Sequence, residues 1–228
     1  MKERGIIFNT EMVRALLDSR KTQTRRVIKP QPQDHHWEND PLGRYKHHLN
    51  LFECQRGLFL SSWHSIGDHI DSSKECNQQI LCPYGVPGDR LYVRETWALI
   101  APSYRYKADG DWDTKEKEMG EFSRWKPSIH MPKDAARIWL EITDIRVERV
   151  QEITEQDAIA EGIEFRNGYW MGGLHEVKGT HKCRPFARAA FIDLWDSINE
   201  KRGYGWSANP WVWVVEFRVI NREVENAN

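Results

Sequence analysis

The opening residues, "GIIFNTEMVRALLDSRKTQTRRVIKP" (5–30), constrain the fold more than any other stretch. Gly5-Ile6-Ile7-Phe8 reads as a short apolar strand. Asn9 or Thr10 caps the helix that follows, and with Asn9 as cap, Phe8 and Val13 form a hydrophobic staple. Met12/Leu16 and Val13/Leu17 stand four residues apart, which gives one apolar face. The helix should stop near Asp18. "SRKTQTRRVI" then leaves it and becomes extended, because Thr, Val and Ile favour strand, until Pro30 and Pro32 end the run.

The rest of the chain does not alternate strands and helices regularly. Residues 33–87 show little periodicity and read as an irregular insertion. "VPGDRLYVRETWAL" (86–99) is a turn and then a strand, with Leu91, Val93 and Glu95 sharing a face. Residues 107–126 are charged and weakly patterned, a second insertion. "ARIWLEITDIRVERV" (136–150) alternates as a long strand, with Ile138, Leu140 and Ile142 on one side. Thr154 then caps a helix, Asp157 completes the capping box, Ile153 and Ala158 form its staple, and Gly162 ends it. Residues 166–183 are Gly-rich and irregular. Pro185 fits the first turn of a helix running to about Asn199, with Phe191, Leu194, Trp195 and Ile198 on one face. "WVWVVEFRVI" closes the chain as a strand with Trp211, Trp213, Val215 and Phe217 aligned. The order indicates an α+β fold, a small mixed or barrel-like sheet with helices on one side.

Charge is near balance overall, with formal net charge -1 over 228 residues, so a bulk nucleic-acid coat is excluded. Its distribution is uneven. Residues 1–30 carry eight Lys/Arg against three acids, whereas 150–164 carry Glu152, Glu155, Asp157, Glu161 and Glu164 and no cation. A basic loop and an acidic helix are thus available to face each other across a cleft, or to serve as two solvated surfaces. The eleven tryptophans are read as core first and as stacking surfaces second. No apolar run reaches a membrane span and no signal-peptide pattern is present, so the expectation is a cytoplasmic chain. Cys54, Cys76, Cys82 and Cys183 form no C-x-x-C pair and should be free thiols. His35, His36, His47, His48, His64 and His69 cluster in the first insertion. Adjacent residues on a strand point to opposite faces, so its His-His pairs are poor joint ligands. Neither a metal nor a cofactor is expected.

Lys21 and Thr24 carry the chemistry. A threonine hydroxyl needs a base to become a nucleophile. Lysine serves as that base only when burial or nearby cations lower its pKa, and Arg20, Arg25 and Arg26 are nearby cations. With a carboxylate to protonate a leaving nitrogen, this is the skeleton of an amide hydrolase. A phosphate-binding or simply solvated basic loop is the other reading of the same residues.

Ser19 to Arg26 resembles the G-x-K-x-x-[ET]-x-R signature of the ASCH superfamily, and especially its "GRKTxTxR" form in small bacterial N4-acetylcytidine amidohydrolases. The Gly88-Asp89 turn into a strand, the helix start with Thr154, Glu155, Ala158 and Glu161, and the aromatic C-terminal strand are similar too. The resemblance implies a PUA-like small mixed β-barrel with flanking helices. It implies a single domain over 1–228 with insertions at about 33–87, 98–130 and 163–185. The long form, with "WKPSIHMP", looks like phage or prophage-encoded members. Residue by residue, the catalytic set would be Lys21, Thr24 and Glu161, with Glu155 or Glu95 as alternative acids. Arg26 fits the signature arginine, steadying a substrate oxygen or pairing with an acid on the 154–161 helix. Ser19 replaces the family glycine, and serine costs energy there if that position takes positive φ.

Two classes of function follow. One is a hydrolase that removes an acyl group from a modified cytidine or related nucleoside. The other is an RNA- or nucleotide-binding module, in which the same cations contact phosphates and Trp97 or another exposed aromatic stacks on a base. Ribonuclease activity is a third option. Arg26, Glu95 and Trp97 are the candidate substrate contacts, and the partner is a modified nucleoside or RNA rather than a membrane.

Overall fold

A computed structural model describes residues 1–32, 45–54, 57–66, 69–100, 103–110, 124–171 and 184–220, with the backbone alone through 45–80. In chain order, the first half holds β1 (Glu3–Ile7), α1 (Thr10–Leu17), β2 (Gln23–Val27), β3 (Tyr45–Cys54), β4 (Gly57–Ile66), β5 (His69–Ile80), β6 (Arg90–Arg94), β7 (Trp97–Ile100) and β8 (Ser103–Tyr106). There follow β9 (Trp139–Arg149), α2 (Glu155–Ala160), β10 (Glu164–Arg166), β11 (Tyr169–Met171), α3 (Ala187–Asn199) and β12 (Trp211–Ile220). The fold is α+β. No helix among the described residues is long and apolar enough to cross a membrane.

The main sheet has the order β1-β6-β9-β12-β2, with β1 parallel to β6 and every other pair antiparallel. It is an open sheet and not the closed barrel expected. Its ends, β1 and β2, share no ladder; instead Arg26 reaches from β2 to donate from Nη2 to the Ile7 carbonyl of β1 at 2.7 Å. A side chain, not a strand pairing, joins the two edges.

β12 is the organising strand because both its faces are buried. Trp213, Val215 and Phe217 enter one apolar cluster with Phe8, Val13 and Leu16 from the α1 side. Val212 and Val214 enter a second cluster with Ala158 of α2 and Phe191, Leu194 and Trp195 of α3. Burying each large apolar side chain contributes roughly 1.5–3 kcal/mol, so a strand packed on both faces is a strong anchor for its neighbour β2.

The predicted caps form as read from the sequence. Asn9 accepts from Met12 N at 2.8 Å, and Phe8 and Val13 are both buried beside it. Thr154 and Asp157 make the reciprocal capping box of α2. At α3 the start lies at Ala187, past Pro185, because the cap comes from elsewhere: the Glu155 carboxylate accepts from Ala187 N and Arg188 N.

The first insertion is less irregular than its composition suggests. Its backbone at 45–54, 57–66 and 69–80 forms a three-stranded antiparallel sheet, β3-β4-β5. Antiparallel neighbours with short connections pair locally through the backbone, so a ladder forms without the period-two apolar pattern that makes a strand legible. The other two insertions contribute the hairpins β7-β8 and β10-β11. Residues 33–44, 111–123 and 172–183 lie outside the described residues. So do the side chains of His35, His36, His47, His48, His64, His69, Cys54, Cys76 and Cys183.

Candidate functional site

The exit from α1 sets the site. Ser19 N donates to Leu16 O at 3.0 Å and Arg20 N to Ala15 O at 2.8 Å, the paired bonds of a Schellman cap. Ser19 holds the left-handed position with φ 57. This turn delivers Lys21 beneath the helix, with Lys21 N bonded to Ala15 O at 3.1 Å. Lys21 then pairs with Glu161 in an isolated antiparallel bridge, and Thr22 N donates to Ala160 O at 2.9 Å. The basic segment and the end of α2 are therefore joined by backbone before any side chain is considered.

The side chains add to that junction. Lys21 Nζ donates to the Glu161 carbonyl at 2.8 Å and to its Oε2 at 2.9 Å, and the lysine side chain is 0% exposed. Burial drives the Lys21 ammonium below its ordinary range; the Glu161 charge and hydrogen bond oppose that, and Arg26 and Arg25 add to it. Lys21, Gln23 and Arg25 alternate along the segment that enters β2, and all three engage α2 or its C-cap Glu161. Gln23 Nε2 donates to the Asp157 carbonyl and carboxylate at 3.1 and 3.2 Å. Arg25 pairs with Glu161 Oε1 at 3.3 Å, Asp157 Oδ2 at 3.3 Å and Glu148 Oε2 at 2.8 Å. Arg146 ties Glu148, Asp157 and Glu216 into the same network.

Thr24 and Arg26 occupy the alternate positions of β2. Both line a cleft of about 400 Å³, together with Arg25 and Glu161. Its walls are apolar, with Met12 from α1, Phe191, Leu194, Trp195 and Ile198 from α3, and Trp213 from β12. Lys29, Tyr84, Arg202 and Tyr204 also line it. Lys21 is not among the lining residues and meets the cleft through Glu161. Arg26 Cζ lies 5.2 Å from the Phe8 ring centroid, and its buried Nε has no hydrogen-bond partner among the described residues.

Of the predicted site residues, the fold brings Lys21, Glu161, Thr24 and Arg26 to one place. Among the described residues Arg26 pairs with no acid of α2; Arg25 does. Glu95 and Trp97 lie elsewhere. Glu95 is 1% exposed and accepts from Arg137 Nε at 2.9 Å and Nη2 at 3.1 Å. Trp97 is also buried, packed against Tyr104 at 5.7 Å, with Lys126 Nζ 4.8 Å from its ring centroid, so its face is not open for stacking on a base. Glu155 caps α3. The sequence reading missed Arg25 as the central cation and missed α3 as a wall of the cleft. The odd-position alternation Lys21, Gln23, Arg25 was the available signal for the first.

Comparison with protein-family models, with curated proteins and with solved structures finds no match to this chain.

Proposed function

We propose that this chain is an ASCH-type, PUA-like amidohydrolase that removes an acyl group from a modified cytidine of the N4-acetylcytidine kind, or from a related nucleoside. One observation carries the reading: a fully buried Lys21, its pKa lowered by burial, is hydrogen-bonded to Glu161 at 2.9 Å beside a cleft that Glu161 and Thr24 line. The cleft volume, about 400 Å³, lies in the range of small-ligand sites.

In this reading Thr24 Oγ1 bonds to the acyl carbon, and its proton reaches neutral Lys21 through the Glu161 carboxylate that lines the cleft with Thr24. Lys21 passes a proton along its bond to Glu161, which delivers it to N4 as the carbon–nitrogen bond breaks. Cytidine leaves. Water then attacks the threonine ester, the carboxylic acid departs and the Thr24 hydroxyl is restored. Arg26, with its unpartnered Nε–H, is the donor for the developing oxyanion.

A second reading, an RNA- or nucleotide-binding module with or without ribonuclease activity, draws support from Lys29, Arg202, Tyr84 and Tyr204 in the same cleft. Incubation with N4-acetylcytidine, free and within RNA, separates the two. The hydrolase releases cytidine and acetate, and Thr24→Ala abolishes it. Absence of cytidine from both substrates at neutral and alkaline pH overturns the enzyme and leaves the binding module.

A further inference from the structure

The cleft has two chemically different ends. Thr24, Arg25 and Glu161 are buried, whereas Lys29 and Arg202 are exposed. Four cations line it against the single carboxylate of Glu161. Arg25 is spoken for by Glu161, Glu148 and Asp157. The other three, Arg26, Lys29 and Arg202, have no ion-pair partner among the described residues. In a chain of net charge -1, that is a local excess.

These cations are also placed and not merely numerous. Lys29 Nζ lies 5.0 Å from the Tyr204 ring centroid, which directs it along the cleft wall. The Arg202 charge bears on Arg26, and the two repel in the absence of an anion between them. Arg202 closes the short 3-10 turn Glu200–Arg202 that follows α3, so the same helix supplies the aromatic wall and the cation at its end. Buried amide-cleaving groups at one end, aromatic walls along the length and cations at the mouth match a nucleoside with its base inward and a phosphate outward. A guanidinium pair and an ammonium suit the several oxygens of a phosphate better than a lone carboxylate.

We propose that Lys29 and Arg202, backed by Arg26, form a phosphate subsite at the mouth of the cleft, so that the ligand is a phosphorylated nucleoside and not a free one. The base half of the ligand rests on the function proposed above; the phosphate half rests on the cations alone.

Calorimetric titration with cytidine and with cytidine 5′-monophosphate tests this without any chemistry. The monophosphate should bind about tenfold tighter or more. Arg202→Ala and Lys29→Ala should each shrink that preference severalfold, whereas Lys201→Ala, next in sequence but outside the cleft, should keep it. Lys29, Lys201 and Arg202 are exposed, so folding is not at issue. Equal binding of the two ligands, or a preference untouched by both cleft variants, overturns the subsite. A cytidine trinucleotide identifies the source of the phosphate. Tighter binding than the monophosphate, with a steeper salt dependence, assigns it to a strand; equal binding assigns it to a mononucleotide. The two proposals fail separately. Arg202-dependent phosphate preference without deacylation removes the hydrolase and keeps the subsite, and deacylation of N4-acetylcytidine without phosphate preference does the reverse.

Discussion

Gly162 lies so close to Lys21 that a Cβ on it would stand 3.1 Å from Lys21 Cβ and 2.9 Å from Ala15 Cβ. Its φ is +94, which L side chains rarely adopt. The residue after Glu161 thus has to be glycine for two reasons. It ends α2, and it lets α1 and the lysine pack directly on the backbone.

Gly162→Ala should therefore be destabilising by about 1–3 kcal/mol, from backbone strain plus crowding. Gly168→Ala is the control, since Gly168 has φ +82 but nothing within 4 Å of the added Cβ. Thermal unfolding of the two should differ, with Gly162→Ala the lower. Equal losses would mean that the close approach to Lys21 carries no energetic weight.

Ser19 gives the opposite case. It occupies the left-handed position of the α1 cap at φ 57 and is exposed. The bonds of the cap are made by its backbone and that of Arg20, so the side chain is not needed for them. Ser19→Gly should relieve strain and stabilise the protein by roughly 1 kcal/mol, less the entropy that glycine adds to the unfolded chain. Ser19→Ala, which keeps a Cβ, should not. A shift in denaturation midpoint at unchanged slope is the measurement.

These positions show what could be read from residues alone. Caps and staples rest on local chemistry: Asn9, Thr154 and Asp157 bond within three residues of themselves, and Gly162 follows the last turn of α2. They were legible for that reason. Long-range placement was not. Nothing around Glu155 says that it caps a helix 32 residues later, and nothing around Glu95 says that Arg137 will hold it. The bond from Arg26 of β2 to the Ile7 carbonyl of β1 is likewise invisible in either strand alone. The ladder of β3-β4-β5 formed from a stretch with no apolar rhythm.

Asp157 should report on the ionic network through acid unfolding. Burial alone would raise its carboxyl, but hydrogen bonds from Thr154 and Gln23 and the Arg25 charge outweigh burial and hold it below its ordinary value of 3.8. The folded state therefore binds fewer protons than the unfolded chain in acid. The resulting stability is fully present above about pH 4 and is lost as pH falls through the folded pKa. Asp157→Asn should cost about 1–2 kcal/mol at neutral pH, because Arg25 and Arg146 each lose a charged partner. It should also flatten the stability loss below pH 4. An acid limb as steep as that of the wild type would place the titration on another carboxylate.

The sharpest expectation concerns how Lys21 works. An ordinary lysine titrates near 10.5 and is a cation at neutral pH, unable to take a proton from Thr24. Full burial lowers that pKa, and the charges of Arg26 and Arg25 push the same way, against Glu161. If Lys21 is the base, deacylation should rise with pH through one group that titrates below the usual lysine range. Arg25→Met removes one of the cations and should move that limb upward, although the Glu161 carboxylate is then left with Lys21 alone. Lys21→Arg should be nearly as damaging as Lys21→Ala, since arginine keeps the charge but does not give up its proton. Thr24→Ser should retain part of the activity, because the hydroxyl remains. The decisive comparison is Lys21→Arg against the wild type across pH. Near-normal turnover with the basic limb still in place would show that the site needs only positive charge, and the general-base role of Lys21 would be wrong.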